Sequence, residues 1–417
     1  MSWTLYGSKY SLEEFKAHHP GGTLALTLCQ GSDITQLFEQ YHLRPEAALT
    51  TFSDFSGKAV LVQRPSPSFD AFHRDILSEL KVLPSIKASA WTFFFSILGT
   101  LCVLFLYVQW ARGSLAALLV LPFAHWLLAV NVSHDANHFA LSRYPQINEL
   151  FGMTGAPLFF NSGQWLHQHT IYHHVHTNVV GLDHDLHHFG HRARLHPAIP
   201  WMPPHAMQVI FTALAFPLAT AAQTLLFPVR LLLSLGFFNQ PHESPLPPLN
   251  LLPVRIRFAT VLQVAAALSF VAYPLYTWGI SWGACVWIVY PYAIAGVIFM
   301  AVTQVSHVQS CTQQPIRQSQ EQQHWAVGQV ASALDYAQGC AWTSFLTGAL
   351  NMQALHHIVP GCHSSRLLAL YPRFRAVCQR HGVHINEVAS FAQAFSGFVQ
   401  HLRALSVDQR EPCKKIL

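Results

Sequence analysis

Long apolar runs divide this chain into membrane-sized segments separated by more polar stretches. A helix needs about 20 residues to cross the apolar part of a bilayer, and four runs reach roughly that length. Links of three and two residues join the runs in pairs, which predicts two helical hairpins. The four predicted spans cover residues 88–110, 114–132, 258–278 and 281–304.

A further apolar stretch, residues 207–238, differs from these four because it contains Pro217, Pro228 and Arg230. Proline removes a backbone hydrogen-bond donor and interrupts a helix. We therefore expect this stretch to form interfacial helices that lie along the membrane and do not cross it.

The more polar regions predict the rest of the organisation. Residues 1–62 form a separate unit, and residues 63–87 form a linker, around Arg64-Pro65-Ser66-Pro67, with a short amphipathic helix over 70–82. Residues 88–390 form the membrane domain, and residues 391–417 a cytosolic C-terminal tail. The predicted fold is mostly α, with four transmembrane helices in two hairpins beneath a cytosolic helical cap.

Basic residues and the chain ends predict the orientation. Lys81, Lys87, Arg255 and Arg257 precede outgoing spans, so both termini and the long loops are expected in the cytosol. The N-terminus lacks the apolar core of a cleavable signal peptide. The last residues, Lys414-Lys415-Ile416-Leu417, resemble a dilysine retrieval signal, which predicts an endoplasmic reticulum membrane protein.

Composition narrows the classes of function. Hydrophobic residues make up 51% and charged residues 10% of the 417, so most of the chain is expected in lipid. The net charge of +5 is spread thinly, without the basic block that nucleic-acid binding requires. Eight cysteines without a CxxC pair indicate free thiols in a reducing compartment.

Histidine is the unusual residue: there are 27, with ten of them between His167 and His196. Histidines four residues apart on a helix direct both rings to one side, and such pairs occur in the segments HDANH (134–138) and HTIYHH (169–174). A third segment, QALHH (353–357), ends in adjacent histidines, and His307 closes the fourth predicted span. Eight candidate ligands follow: His134, His138, His169, His173, His174, His307, His356 and His357.

One such pair would be weak evidence, but folding the two hairpins together brings all these segments to one membrane face. Nitrogen ligands without carboxylates suit iron, zinc or copper better than magnesium or calcium. A hydrolytic zinc site usually needs three protein ligands, whereas eight imidazoles suggest two iron ions. A non-enzymatic haem or metal transporter is a rival, but it should carry its ligands at mid-depth in the spans.

Over residues 85–385 the chain resembles the membrane fatty acid desaturases, whose three histidine boxes match HDANH, HTIYHH and QALHH. This resemblance implies a di-iron, O2-dependent desaturase that acts on an acyl-CoA or acyl-lipid, with the eight histidines as iron ligands and Gln353 as an additional candidate. The glutamine of QALHH is similar to the front-end branch, and the extended second box, as far as Asp183 and Asp185, to Δ5 or Δ4 enzymes. Alternatives on the same scaffold are a Δ6 or Δ8 desaturase, a sphingolipid desaturase and an acyl hydroxylase.

The N-terminal unit resembles a small α+β cytochrome b5 domain over residues 3–58. The motif His19-Pro20-Gly21-Gly22 forms a turn that presents His19, and His42 follows 23 residues later. Two axial histidines leave no open position on a haem iron, so such a haem transfers electrons and does not bind oxygen. The resemblance implies haem b between His19 and His42, with electrons from NADH arriving through a separate cytochrome b5 reductase.

Overall fold

The computed structural model describes residues 2–56, 67–187, 189–233, 254–313 and 324–408. The sequence predicts a mostly α protein, and the described chain is mostly helical, with two short two-stranded sheets. Lys414 and Lys415, and the linker around Arg64, lie outside the described residues.

The N-terminal unit combines a β-hairpin with four helices. Strand β1 (Trp3–Leu5) pairs antiparallel with β2 (Ser8–Tyr10), with Trp3 opposite Tyr10. Trp3 is fully buried and its indole N–H donates to the Leu26 carbonyl at 2.8 Å, which ties the hairpin to the helices. The helices are α1 (Glu13–His18), α2 (Leu24–Leu28), α3 (Thr35–Tyr41) and α4 (Pro45–Ser56).

The remaining helices of the described chain follow in order, with short 3₁₀ and π segments between some of them. They are α5 (Pro67–Leu80), α6 (Ala90–Ala111), α7 (Leu115–Leu128), α8 (His134–Asn137), α9 (Pro145–Gly152), α10 (Ser162–Trp165), α11 (His174–His176), α12 (Gln208–Ala215), α13 (Ala219–Ala221), α14 (Phe227–Leu232), α15 (Val254–Trp278), α16 (Trp282–Gln304), α17 (Trp325–Ala331), α18 (Ala341–Thr347), α19 (Gln353–Ile358), α20 (Ser364–Arg380) and α21 (Phe391–Leu405).

Helices long and apolar enough to span a membrane occur at all four predicted positions. They are α6, the continuous run from α7 to Asn137, α15 and α16. Ser89, Ser114 and Ser281 cap α6, α7 and α16 by accepting a backbone N–H in the first turn. Large apolar side chains such as Phe105 and Leu101 remain exposed on the outer face of α6, as lipid contact requires.

A fifth stretch, Pro203–Arg230, also meets the length and hydropathy of a span. It is not one regular helix: α12 ends in a 3₁₀ turn at Phe216–Leu218, and a π segment at Ala222–Leu226 precedes α14. The 3₁₀ turn contains Pro217, consistent with the proline argument from the sequence. Its interfacial placement stays a prediction.

The hairpins bring two helix ends together. Helices α6 and α7 pack as one hairpin, α15 and α16 as the other, and α7 contacts α16. The C-terminal ends of α7 and α16 therefore meet, one followed by His134 and the other by His307.

A helical layer covers these ends. Strand β3 (Leu334–Tyr336) pairs in parallel with β4 (Asn386–Val388), and α19 packs between α17 and α20. The segment predicted as a C-terminal tail contains α21, whose Phe398 is buried in the membrane domain. The Gln309 amide donates to the Ala394 carbonyl at 2.7 Å, which fixes α21 to the segment after α16.

Candidate metal centre

Two sets of buried histidines lie beneath the helical layer, and together they contain seven of the eight predicted ligands. In each set, one ring nitrogen from every member lies within 4.8 Å of the others. The first histidine group is His134, His138, His169 and His356, and the second histidine group is His173, His307 and His357.

The eighth predicted ligand, His174, lies between the two groups. Its ring stacks on His357 with centroids 4.0 Å apart, and its Nε2 is 3.2 Å from Nε2 of His169. The amide nitrogen of Gln353 lies 2.9 Å from Nε2 of His307 and 3.0 Å from Nε2 of His357. The structure thus brings all eight histidines and Gln353 into one buried cluster.

Irregular helix geometry shapes two of the three boxes. The first box follows a π segment at Ala129–Ser133, and another π segment, Leu166–His173, contains the second box except for His174. The sequence predicts regular α-helical spacing there. The pair His169 and His173 nevertheless stack with centroids 5.2 Å apart, one member in each group. Single-turn π insertions in helices are frequent at functional sites.

Each ring of the second histidine group is held from behind through Nδ1. Nδ1 of His173 donates to Asp183 at 3.1 Å, Nδ1 of His307 to the Ser332 carbonyl at 3.0 Å, and Nδ1 of His357 to Oε1 of Gln329 at 2.8 Å. These acceptors place the proton on Nδ1 and leave the Nε2 lone pair for a metal, an arrangement usual for zinc and iron histidines. The second group is therefore preorganised for binding.

The first histidine group has one anchor of this kind. Nδ1 of His138 is 2.8 Å from the phenol oxygen of Tyr41, a residue of the N-terminal unit. Among the described residues, Nε2 of His138, Nε2 of His356, Nδ1 of His169 and both nitrogens of His134 are buried without a hydrogen-bond partner, although the carboxylate of Asp135 lies 3.7 Å from Nδ1 of His134. Buried polar atoms in this state are costly unless something binds them, and a metal ion is the partner that four converging imidazoles fit.

The pKa values of five of the clustered histidines favour metal binding. Burial lowers the pKa of His138, His169 and His356 well below 6.5, and the neighbouring imidazoles lower it further. The same causes act on His174 and His357. Neutral imidazole is the form that ligates metal.

His173 is the exception, because burial lowers its pKa but the carboxylates of Asp183 and Asp185 outweigh that effect and raise it to about 9. Asp183 in turn accepts the backbone N–H groups of Asn178 and Asp185 at 2.8 and 2.9 Å. This carboxylate supplies the negative charge that complements a cation at the second group.

A buried carboxylate that the sequence argument missed positions the third box. Asp335, on β3, accepts the backbone N–H of Ala354 at 3.0 Å in the first turn of α19. The hydroxyl of Tyr371 contacts its other oxygen at 2.7 Å, and burial raises the pKa of Asp335 to about 7. Asp335 thus fixes the start of the helix that carries His356 and His357.

A small cavity of about 30 Å³ adjoins both histidine groups. Trp126, Phe160, Trp165 and Phe299 line it together with histidines of both groups, and the ring of Trp165 stacks on that of His169 with centroids 4.3 Å apart. An apolar wall next to the clustered imidazoles suits a hydrocarbon better than a polar substrate.

The two predicted haem ligands face each other across a larger cavity of about 420 Å³. The ring centroids of His19 and His42 are 5.9 Å apart. Nδ1 of His19 donates to the Gly22 carbonyl at 2.9 Å and Nδ1 of His42 to the Phe38 carbonyl at 2.8 Å. Because a carbonyl can only accept, both Nε2 atoms are left as lone-pair donors.

The wall of this cavity comes from both parts of the chain. Leu26, Leu49 and Phe52 of the N-terminal unit form one side, while Pro145 and Ile171 of the membrane domain belong to the other. The cavity is mostly apolar, as haem requires, and its size lies in the usual range for cofactor sites, about 300–1,000 Å³.

The family model that matches this chain covers all three histidine boxes. The family model described as "Fatty acid desaturase" matches residues 108–389, about two thirds of the chain. The chain is 31% identical to the acyl-lipid omega-13 desaturase of Chlamydomonas reinhardtii, over 97% of this chain and 93% of that protein.

Two further relatives also match over nearly the full length. Identity is 27% to the acyl-lipid (8-3)-desaturase of Mortierella alpina, over 97% of this chain and 94% of that protein. It is 24% to the Delta(5) fatty acid desaturase A of Dictyostelium discoideum, over 96% and 90%. These relatives indicate an oxidoreductase of lipid metabolism, and the family implies iron and O2. With its buried histidine groups and apolar helices, the chain belongs to the fatty acid desaturase family.

Proposed function

We propose that this protein is a front-end acyl-lipid desaturase, which introduces a cis double bond between an existing double bond and the carboxyl end of a long-chain polyunsaturated acyl group. The observation that carries the proposal is the pair of buried histidine groups beside a small apolar cavity. Gln353 at the head of the third box and relatives named as Delta(5) desaturases favour a Δ5-like or Δ4-like position.

The residues that would hold two iron ions are the eight histidines, with Gln353 beside the second group. Bound iron would supply the activation of dioxygen needed to remove one hydrogen from each of two adjacent methylenes. Asp183, Ser332 and Gln329 hold the rings of the second group in the ligating orientation. The aromatic wall of Trp165, Phe160 and Phe299 would exclude water and position the acyl chain.

The N-terminal unit would serve as a fused cytochrome b5-like electron donor. His19 and His42 would hold haem b, which would carry single electrons received from NADH through a separate cytochrome b5 reductase. Support comes from the two Nδ1 hydrogen bonds to backbone carbonyls and from the apolar cavity between the rings. The same unit contacts the histidine groups directly, through Tyr41.

We place the protein in the endoplasmic reticulum membrane, with both termini and the histidine groups on the cytosolic side. The support for this orientation is the distribution of Lys87 and Arg255 around the spans. Tagging each terminus and digesting sealed microsomes with protease tests the orientation, and tags protected from digestion would contradict it.

Expression in a host fed individual polyunsaturated fatty acids tests the reaction, with mass spectrometry to locate any new double bond. We expect a new double bond on the carboxyl side of an existing one, and none from a variant with His356 and His357 replaced by alanine. A hydroxylated or sphingolipid product would favour those alternatives on the same scaffold. Purified protein without two irons and without an O2-dependent product would overturn the proposal.

A further inference from the structure

Helix α3 of the N-terminal unit lies directly against the histidine groups. Gln40 is fully buried, and its amide N–H group donates to the backbone carbonyls of His174 and His357, both at 3.0 Å. Gln36, one turn earlier, contacts the His174 carbonyl at 3.2 Å. The end of α3 is thus fixed to the second and third histidine boxes.

Tyr41, the last residue of α3, reaches the first histidine group itself. Its phenol oxygen is 2.8 Å from Nδ1 of His138, and its ring packs edge to face on Phe139 with centroids 5.9 Å apart. Gly361 lies beside the same ring, and a Cβ there would stand 3.5 Å from Cδ1 of Tyr41, at van der Waals contact. The phenol is therefore held between two elements of the membrane domain.

The next residue in the chain is His42, the proposed haem ligand. Its ring stacks on Phe38 of α3 with centroids 4.3 Å apart, and Nδ1 bonds to the carbonyl of the same residue. A ligand that binds His42 would fix the C-terminal end of α3. Because Tyr41 is part of that end, it would fix the phenol as well.

We propose that Tyr41 is a positioning residue that orients His138, and that it links occupancy of the haem cavity to the metal affinity of the first histidine group. The inference rests on the proposed function. When the phenol accepts the Nδ1 proton of His138, the Nε2 lone pair is directed into the first group. Linkage is reciprocal, so metal in this group would raise haem affinity by the same factor that haem raises metal affinity.

The substitution Tyr41→Phe tests the proposal, because it removes one hydroxyl and keeps the ring packing. Affinity for Co²⁺ would be measured by chelator competition on the full-length protein in detergent, with and without haem, and the cobalt absorption bands would report ligand geometry. Partners of this kind are worth about 10-fold to 100-fold in metal affinity. We expect one of two cobalt ions to bind at least about 10-fold more weakly in Y41F, and its dependence on haem to vanish.

Tyr10→Phe is the matched control, because Tyr10 packs on Phe52 in the same unit, away from the histidine groups. It should retain the wild-type cobalt affinities and spectrum, and the haem absorption spectrum should be the same in both variants. Wild-type cobalt affinity in Y41F, or affinity in the wild type that is the same with and without haem, would overturn the inference. Wild-type protein that binds no haem, or fewer than two metal ions, would instead overturn the proposed function, and this inference with it.

Discussion

The two histidine groups lie side by side but are supported differently. In the second group, Nδ1 of every ring bonds to a partner from the membrane domain: Asp183, Ser332 or Gln329. In the first group, within the described chain, the bond of this kind is from His138 to Tyr41 of the N-terminal unit. One group is completed by the membrane domain, and the other relies in part on the N-terminal unit.

The two arrangements imply different sources of metal affinity. Rings held by buried carbonyl and carboxylate acceptors lose little freedom when they bind metal. The second group should therefore bind its ion more tightly than the first group does. The first group keeps several buried nitrogens without partners and gains most from the ion itself. We therefore expect the two sites to differ in affinity and in sensitivity to mutation.

Removing a ligand should have the largest effect. His357→Ala in the second group and His134→Ala in the first should each lower desaturation at least about 100-fold, since ligand loss exceeds the loss of an outer partner. Iron content measured by elemental analysis should separate the groups: H134A should keep more iron than H357A. His381→Ala is the control, because His381 pairs with Asp75 away from the metal centre. Equal iron loss in both variants would contradict the proposed difference.

Asp183→Asn should come next, because it removes the charge behind His173 and keeps a similar shape. The pKa of His173, held at about 9 by Asp183 and Asp185 in the unsubstituted protein, should fall. We expect iron affinity to drop about 10-fold to 100-fold, as measured by chelator competition.

Asp185→Asn serves as the comparison for that variant. Asp185 lies farther from Nδ1 of His173, at 3.5 Å, and is partly exposed, so its substitution should cost less. If the Asp185 variant loses as much iron as the Asp183 variant, negative charge alone, and not the hydrogen bond from Asp183, anchors the ring of His173.

Asp335→Asn should change the pH dependence of stability. Burial raises the pKa of Asp335 from 3.8 to about 7, so between these values the folded protein binds more protons than the unfolded chain. Folding stability should therefore fall as pH rises from about 5 to 7, by about 2 kcal/mol from this group. Thermal unfolding in detergent should show that slope in the wild type and a smaller one in D335N. Tyr371→Phe, which removes only the neighbouring hydroxyl, should retain the slope.

The sequence predicted the parts of the molecule that depend on local patterns. Apolar run length indicated the four long helices. Their pairing in hairpins indicated that the three histidine boxes would meet, and in the structure the ring of His134 lies on that of His356 and the ring of His174 stacks on that of His357. Asp183 could be noticed because it belongs to the extended second box. Its hydrogen bond to His173 could be recognised only in the three-dimensional structure.

Other features left no signal in a single sequence. Asp335 lies 18 residues before Gln353 and meets α19 through the packing of β3 on that helix. Gln329 meets His357 through the packing of α17 on α19. Contacts between units are equally hidden: nothing in residues 35–42 indicates that Tyr41 would reach His138. Such contacts arise from tertiary packing between distant segments, which periodicity and motif spacing do not encode.

The smallest predicted effect concerns the contacts that join α3 to α17 and α5. Glu39 of α3 accepts the indole N–H of Trp325 and lies 3.5 Å from Nε2 of His324, and the ring of His73 on α5 packs edge to face on Trp325. Burial lowers the pKa of His73 from 6.5 to about 4, although Glu39 opposes the shift, so between these values the unfolded chain binds more protons than the folded protein. Stability should then be lost as pH falls, by about 1 kcal/mol between pH 7 and pH 5.5.

His73→Gln should reduce this acid sensitivity in thermal unfolding, whereas Arg373→Gln, which removes an exposed ion pair with Glu79, should not. If these contacts support the first group through Tyr41, H73Q should hold the less tightly bound metal ion to a lower pH than the wild type does. Equal acid sensitivity of unfolding in H73Q and in the wild type would contradict the role of His73.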